Sequence, residues 1–270
     1  MSVNVHPLTA SSPSRTVAAS IRSPAPPAPR QRRLVPLLDL DPDLGRDLDR
    51  ERYEAARTGA VAGVVTLSPR EWPSQTLELA EPDGAVGLLV VEGLMSRDVT
   101  IEGGSFAELI GDGEILRPWE NGADSPNGTT KVSWNVMETT RLAILDRTFV
   151  LRAARWPEIS TALTARAVRR SRSLTVQLAI CNLPRVETRL LLLMWHLADR
   201  WGRVTGEGVV LPLGLTHRLL AHLVGARRPT VTTALKELTR RTRVSRRSDG
   251  SWVLHGDRPT ALGQLYATIG

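Results

Sequence analysis

Arg228, Thr230, Thr232, Thr233 and Lys236 crowd into the stretch LTHRLLAHLVGARRPTVTTALKELTRR, residues 215–241, and Arg243, Arg246 and Arg247 follow directly. A planar guanidinium can donate two parallel hydrogen bonds to a paired acceptor such as guanine O6 and N7. Threonine hydroxyls and a lysine ammonium suit phosphate oxygens or base edges with less selectivity. The chemistry on offer is therefore polyanion recognition, provided these groups share one face.

The surrounding residues supply such a face. Thr216 is suited to cap a helix through its hydroxyl, and Leu215, Leu219, Leu223 and Val224 put apolar groups on one side of it. Gly225 can take the positive φ of an abrupt turn. Helix resumes near Arg228, where Pro229 is tolerated because first-turn amides have no intrahelical acceptor. Val231, Leu235 and Leu238, spaced by four and three, face back toward the first helix and leave the polar set outside. Two helices joined this tightly form the unit that lays a recognition helix in a major groove. Beyond it, Val244–Arg247 and Ser251–Leu254 flank Ser248–Asp249–Gly250, and Asp-Gly is a hairpin signal. The expectation is a winged helix-turn-helix. A generic helical pair is the plain alternative for any single element.

Charge is distributed accordingly. Residues 1–151 hold 15 Lys+Arg and 21 Asp+Glu, a balance of −6, whereas residues 152–270 hold 20 and 7, a balance of +13. An acidic module is joined to one that meets a polyanion, and composition alone admits DNA, RNA or an anionic membrane.

Upstream, residues 1–33 are rich in Pro, Ser, Ala and Arg without periodicity and read as a flexible tail. Leu34–Ala60 predicts short helices. Then Ala62–Thr66, Gln75–Leu79, Val86–Met95, Asp98–Ile101, Glu114–Arg117, Lys131–Val136 and Arg141–Ile144 read as short strands, with Asn121–Thr130 as a loop or hairpin connection. Many short strands without long intervening helices imply an antiparallel sandwich or barrel. From Glu158 to Leu183 neither Pro nor Gly interrupts, and Ala167, Leu174 and Cys181 recur every seven residues, with Leu163 and Leu178 adding apolar surface. These five residues form an expected dimer seam, flanked by the Arg166–Arg172 segment. The same helix could instead pack only on its own domain. Val186–Trp201, with its LLLLMWHLA core, predicts a helix buried nearly all round.

Through HLVGARRPTVTTALKEL the chain resembles the family of the cyclic-AMP receptor protein and FNR-type bacterial transcription regulators, over roughly Arg57 to Gly256. The resemblance implies an α+β chain. An N-terminal cupin-like antiparallel β-roll (34–155) precedes a long dimerisation helix (156–183) and a C-terminal winged helix-turn-helix (184–270). It implies Arg228 as the base-reading arginine and Thr216, Arg218 and Thr230 as phosphate contacts. Thr232 and Thr233 complete the expected base-reading set, and Arg227, Lys236, Arg243, Arg246 and Arg247 the phosphate-binding one. Pro229 and Thr233 stand where the family often has Glu and Arg, so the operators of the best-known members do not carry over to this chain. Cyclic-nucleotide binders present Gly-Glu followed later by Arg. Gly113–Glu114 matches the pair, but Arg117 comes too soon and precedes Pro, and 121–130 holds no Arg. A cyclic phosphate would lack its charge partner, which is expensive in a buried pocket. Oxygen-sensing members need several cysteines, against the lone Cys181, and the five histidines all fall outside the strands.

The expected partners are double-stranded DNA and a second copy of the chain, with RNA polymerase a further candidate and any effector unidentified. No cofactor and no metal site are expected. One cysteine excludes an internal disulfide and favours a reduced, cytoplasmic setting. The longest apolar run, Leu190–Trp195, is six residues, too short to span a bilayer. Neither a phosphate-binding GxxxxGK[ST] nor a GxGxxG occurs, and His217 and His222, five apart, do not share a helical face for a metal. The alternatives to a regulator are a winged-helix scaffold that binds protein alone and, less favoured, an enzyme.

Overall fold

The computed structural model describes residues 33–73, 83–120 and 130–269. The tail up to residue 32, the expected strand Gln75–Leu79 and nearly all of the Asn121–Thr130 connection lie outside the described residues. In chain order come β1 (Arg33–Pro36), α1 (Leu37–Leu40), a 3-10 turn (Pro42–Gly45), α2 (Arg50–Gly59), β2 (Val61–Leu67), β3 (Arg70–Trp72), β4 (Gly87–Glu92) and β5 (Leu94–Ile101). They are followed by β6 (Gly104–Gly111), β7 (Ile115–Leu116), β8 (Thr130–Val136), β9 (Thr140–Leu145), α3 (Arg147–Ala153), α4 (Pro157–Cys181) and α5 (Val186–Trp201). The last third holds β10 (Arg203–Thr205), β11 (Gly208–Leu211), α6 (His217–Leu223), α7 (Arg228–Arg240), β12 (Val244–Arg246), β13 (Trp252–Leu254) and α8 (Thr260–Ile269).

Two antiparallel sheets, β1-β2-β9-β4-β7 and β3-β8-β5-β6, form the N-terminal β-rich body. Strand alternation divides its apolar residues between two cores. Leu88, Val90, Leu142 and Ile144 point between the sheets toward Met95, Ile110, Trp72 and Trp134. Leu89, Ala143 and Leu145 point the other way, onto Leu37, Leu38, Phe149, Trp156, Ile159 and Leu163 of the covering helices. Covering both faces explains why GLLVV reads as an unbroken apolar run.

The expected single strand Val86–Met95 is two strands. Gly93, at φ +111, turns the chain from one sheet into the other, and a Cβ there would lie 2.6 Å from the Thr139 carbonyl oxygen. The segment Asp98–Ile101 continues β5 without a break. Strands β1, β3, β6 and β10 and helix α8 had no strong sequence signal.

Helix α4 joins two of the cores. Its first half is anchored by Ile159 and Leu163 in the β-roll core, and its second half by Val176 and Ile180 in the core of the C-terminal module. The five residues of the expected dimer seam differ in how far the chain itself covers them. Leu163 is only 4% exposed and is spent inside its own chain. Leu174 is half-buried beside His196, Leu197 and Trp201 of α5, and the Cys181 thiol lies 3.4 Å from the Leu223 carbonyl oxygen, burial pushing its pKa up. Ala167 and Leu178 do face outward. Spacing tells which residues share a helix face but not what that face meets. The Arg166–Arg172 segment also turns partly inward. Arg166 pairs with Asp41, and Arg170 donates to Glu108 at 2.9 Å and to the Ile115 carbonyl at 2.5 Å, pinning α4 on the sheets.

Candidate nucleic-acid interface

The C-terminal module is built on α5. Seven of its residues are buried, among them Leu190, Leu193, Met194 and Trp195, and they carry α6, α7 and the sheet β10-β11-β13-β12. Thr216 caps α6, its hydroxyl oxygen accepting from the Leu219 amide at 3.1 Å. That leaves the hydroxyl proton free to donate to a phosphate. Leu220, Ala221 and Leu223 bury one side of α6. Gly225 then takes φ +61, and the Ala226 amide closes the turn on the Ala221 carbonyl at 2.9 Å.

Helix α7 starts with Arg228 as its first residue and Pro229 in its first turn, and no side chain caps it. Its opening amides are therefore available to an anion. Val231, Ala234, Leu235 and Leu238 are buried, while Arg227, Arg228, Thr230, Thr233 and Lys236 are exposed together on the outer side. Among the described residues none of Arg218, Arg227, Arg228 and Lys236 has an ion-pair partner. Thr232 differs from the expectation of a freely presented hydroxyl. It is half-buried, donates to the Arg228 carbonyl at 3.1 Å and lies 3.0 Å from His217 Nδ1. The Thr233 hydroxyl donates to the Pro229 carbonyl at 3.2 Å and keeps its lone pairs for an outside donor.

The wing is as expected. The Asp249 carboxylate accepts from the amide and hydroxyl of Ser251 at 2.9 and 2.6 Å, and Gly250 sits at φ +87. Arg246 is exposed and stacks 5.4 Å above the Trp252 ring, whose indole N–H donates to the Leu215 carbonyl, tying the wing to the start of α6. The other two wing arginines are less free. Arg247 pairs with Glu207 at 2.7 Å, and Arg243 is half-buried. At the far end of α7, hydrogen bonds from Arg240 and then Arg241 hold the Glu237 carboxyl down to about 2. The available positive charge is thereby left on Arg218, Arg227, Arg228, Lys236 and Arg246.

Three residues absent from the sequence-based set organise this surface. Arg189 of α5 donates to the carbonyls of Leu183, Val224 and Gly225, stapling the helix-turn-helix turn to the α4–α5 junction. Gln177 donates to the carbonyls of Ala107 and Leu223, both at 3.0 Å, and His222 contacts Asp98 of β5 at 2.8 Å. Leu94, Ala107 and Leu109 share one core with Leu193, Leu220 and Leu223, so the β-roll and the C-terminal module are packed together. An arginine, glutamine or histidine at a helix surface reads from sequence as solvated. Only the partners brought to each one, backbone carbonyls for Arg189 and Gln177 and the Asp98 carboxylate for His222, reveal its role.

Fold and site define a winged helix-turn-helix protein in which one long helix connects the reading module to an antiparallel β-roll. Residues 185–258 match the family described as the Crp-like helix-turn-helix domain, so the chain carries such a domain. A cyclic nucleotide-binding domain containing protein from Listeria monocytogenes EGD-e has a similar fold, with TM-score 0.56 at 16% identity over 79% of this chain and 96% of that one. A CooA mutant from Carboxydothermus hydrogenoformans superposes with TM-score 0.55 at 18% identity over 77% and 88% of the two chains. For FixK2 from Bradyrhizobium japonicum the TM-score is 0.53 at 16% identity over 76% and 96%. At these identities the likeness is one of fold. No curated protein matches the sequence. Among the described residues no helix is long and apolar enough to cross a membrane, and no group of three or more His, Cys, Asp or Glu is placed to hold a metal.

Proposed function

We propose that the chain is a cytoplasmic, sequence-specific DNA-binding transcription regulator that acts without catalysing a reaction. The observation that carries this reading is the exposed Arg228, without an ion-pair partner among the described residues, at the uncapped start of α7, within a Crp-like helix-turn-helix. In a major groove its fork reads guanine, with Thr232 and Thr233 beside it. Thr216, Arg218, Arg227, Thr230, Lys236 and Arg246 hold phosphates, and Arg243 and Arg247 contribute charge nearby.

The DNA-bound form is a two-fold dimer on an inverted repeat, its half-sites about 34 Å apart. The seam runs along the exposed side of α4. Thr161, Thr164, Val168, Ser171, Thr175 and Leu178 alternate by three and four residues there, and Val168 and Leu178 are 47% and 61% exposed. In the β-roll, Glu114 is engaged internally, accepting from the Gly111 amide at 2.7 Å and pairing with Arg200 of α5 at 2.9 Å. That engagement favours a β-roll that does not respond to cyclic AMP.

Selection of bound fragments from random-sequence DNA tests the reading. The wild type enriches a palindromic motif, and Arg228→Ala relaxes one base position per half-site at a cost of about 1–3 kcal/mol per lost bidentate contact. Enrichment of nothing, or an unchanged motif in the variant, refutes it.

A further inference from the structure

His217 opens α6, lies across from the outward side of α7, and is not itself among the groups expected to read DNA. Its Nδ1 is 3.0 Å from Thr232 Oγ1, and its ring lies 6.4 Å from that of Trp252 in the wing. The Thr232 hydroxyl has a single proton, and the Arg228 carbonyl, which can only accept, takes it at 3.1 Å. The contact to His217 must then run the other way, with Nδ1–H donating to Oγ1. The donor function and one of the two acceptor lone pairs are thus engaged inside the protein. The Thr232 hydroxyl can donate nothing to a base, and the methyl group becomes the main feature Thr232 has to present.

We propose that His217 is a positioning residue for base recognition: by holding the Thr232 hydroxyl against α6, it makes Thr232 a reader of the thymine 5-methyl group rather than a hydrogen-bonding one. This rests on the reading of α7 as a recognition helix. Nδ1–H donates in the charged ring and in the neutral tautomer alike, so the arrangement persists across the titration of His217. Burial, and then Arg246 and Arg228, lower the pKa of that ring and keep it neutral near pH 7. The same contact ties the first residue of α6 to Arg228 through a shared threonine. His217 thereby steadies the backbone that carries the arginine.

The hydroxyl and the methyl can be separated by substitution. Thr232→Val keeps the methyl and removes the hydroxyl, whereas Thr232→Ser does the reverse. Motif selection and competition binding are run on the full chain for wild type, both Thr232 variants and His217→Ala, with thermal unfolding measured alongside. The expected result is a thymine preference at one symmetric position in each half-site that survives in Thr232→Val. It falls roughly fourfold, the factor worth one buried methyl, in Thr232→Ser and in His217→Ala. Uracil in place of thymine at that position reproduces the loss with wild-type protein and costs His217→Ala nothing further, a non-additivity that a purely structural histidine would not give. Retention of the preference in Thr232→Ser with its loss in Thr232→Val overturns the proposal, as does an unchanged preference in His217→Ala. Failure of the wild type to enrich any motif overturns the DNA-reading assignment as well, so the two failures are distinct.

Discussion

Replacing Gly225 with alanine isolates the conformational cost of the turn that sets α6 against α7. The residue sits at φ +61, and a Cβ built there meets nothing within 4 Å. No steric clash enters, and the effect reduces to two backbone terms. Holding an L-residue in the left-handed region costs roughly 1–2 kcal/mol. Against that, alanine narrows the unfolded ensemble and returns about 0.4–1 kcal/mol. The net is a destabilisation of roughly 0.5–1.5 kcal/mol, or about 1–6 °C in Tm for a chain of this size. Gly225→Asn should fall between wild type and alanine, because asparagine tolerates this conformation. Urea unfolding followed by tryptophan fluorescence is a suitable assay, since Trp195 and Trp252 are buried in the core that α6 and α7 close. A neutral or stabilising result would show that residue 225 is not left-handed. A loss above about 3 kcal/mol would mean crowding that the open space around Gly225 excludes. Gly93→Ala is the contrasting control. There the Cβ lies 2.6 Å from a backbone oxygen, so a much larger loss is expected.

Other outcomes follow from the same geometry. Arg246→Ala should weaken binding to all sequences alike and lower the salt slope by about one, and a sequence-selective loss in competition assays would contradict its phosphate role. Leu178→Glu should shift sedimentation toward monomer, whereas Ala167→Glu, outside the three-four alternation, should leave the dimer closer to intact; the reverse order would relocate the seam. His196 is half-buried between Ser173 and Tyr266, and desolvation lowers its pKa, with Asp199 opposing. The unfolded chain, with histidine near its ordinary value of about 6.5, then binds more protons than the folded one just below that pH. Stability should be fully present above about pH 6.5 and decline as pH falls below it. His196→Gln should flatten that decline in urea titrations across the window, and an unaltered slope would assign it elsewhere.

Local chemistry wrote much of the interface into the sequence. A capping hydroxyl at Thr216, an achiral residue at Gly225, a first-turn proline at 229 and the Asp249–Gly250 hairpin each act within a few residues of themselves, so their spacing predicts α6, α7 and the wing closely. Helix α5 was equally visible, because an apolar stretch of that length has to be buried. What tertiary structure alone decided is where each face turns. The heptad spacing of Ala167, Leu174 and Cys181 is real, yet packing against α5 and α6 draws Leu174 and Cys181 inward and leaves Val168 and Leu178 outside. Strand β6 carries Glu108 in mid-strand, a residue type that argues against a buried strand until Arg97 and Arg170 arrive from elsewhere in the chain to pair with it. Thr232 reads as an outward hydroxyl until His217, fifteen positions earlier, takes up one of its lone pairs. Short-range backbone preferences are encoded residue by residue. The partner of a polar side chain is set by which distant segment the cores bring beside it, and that depends on the whole chain.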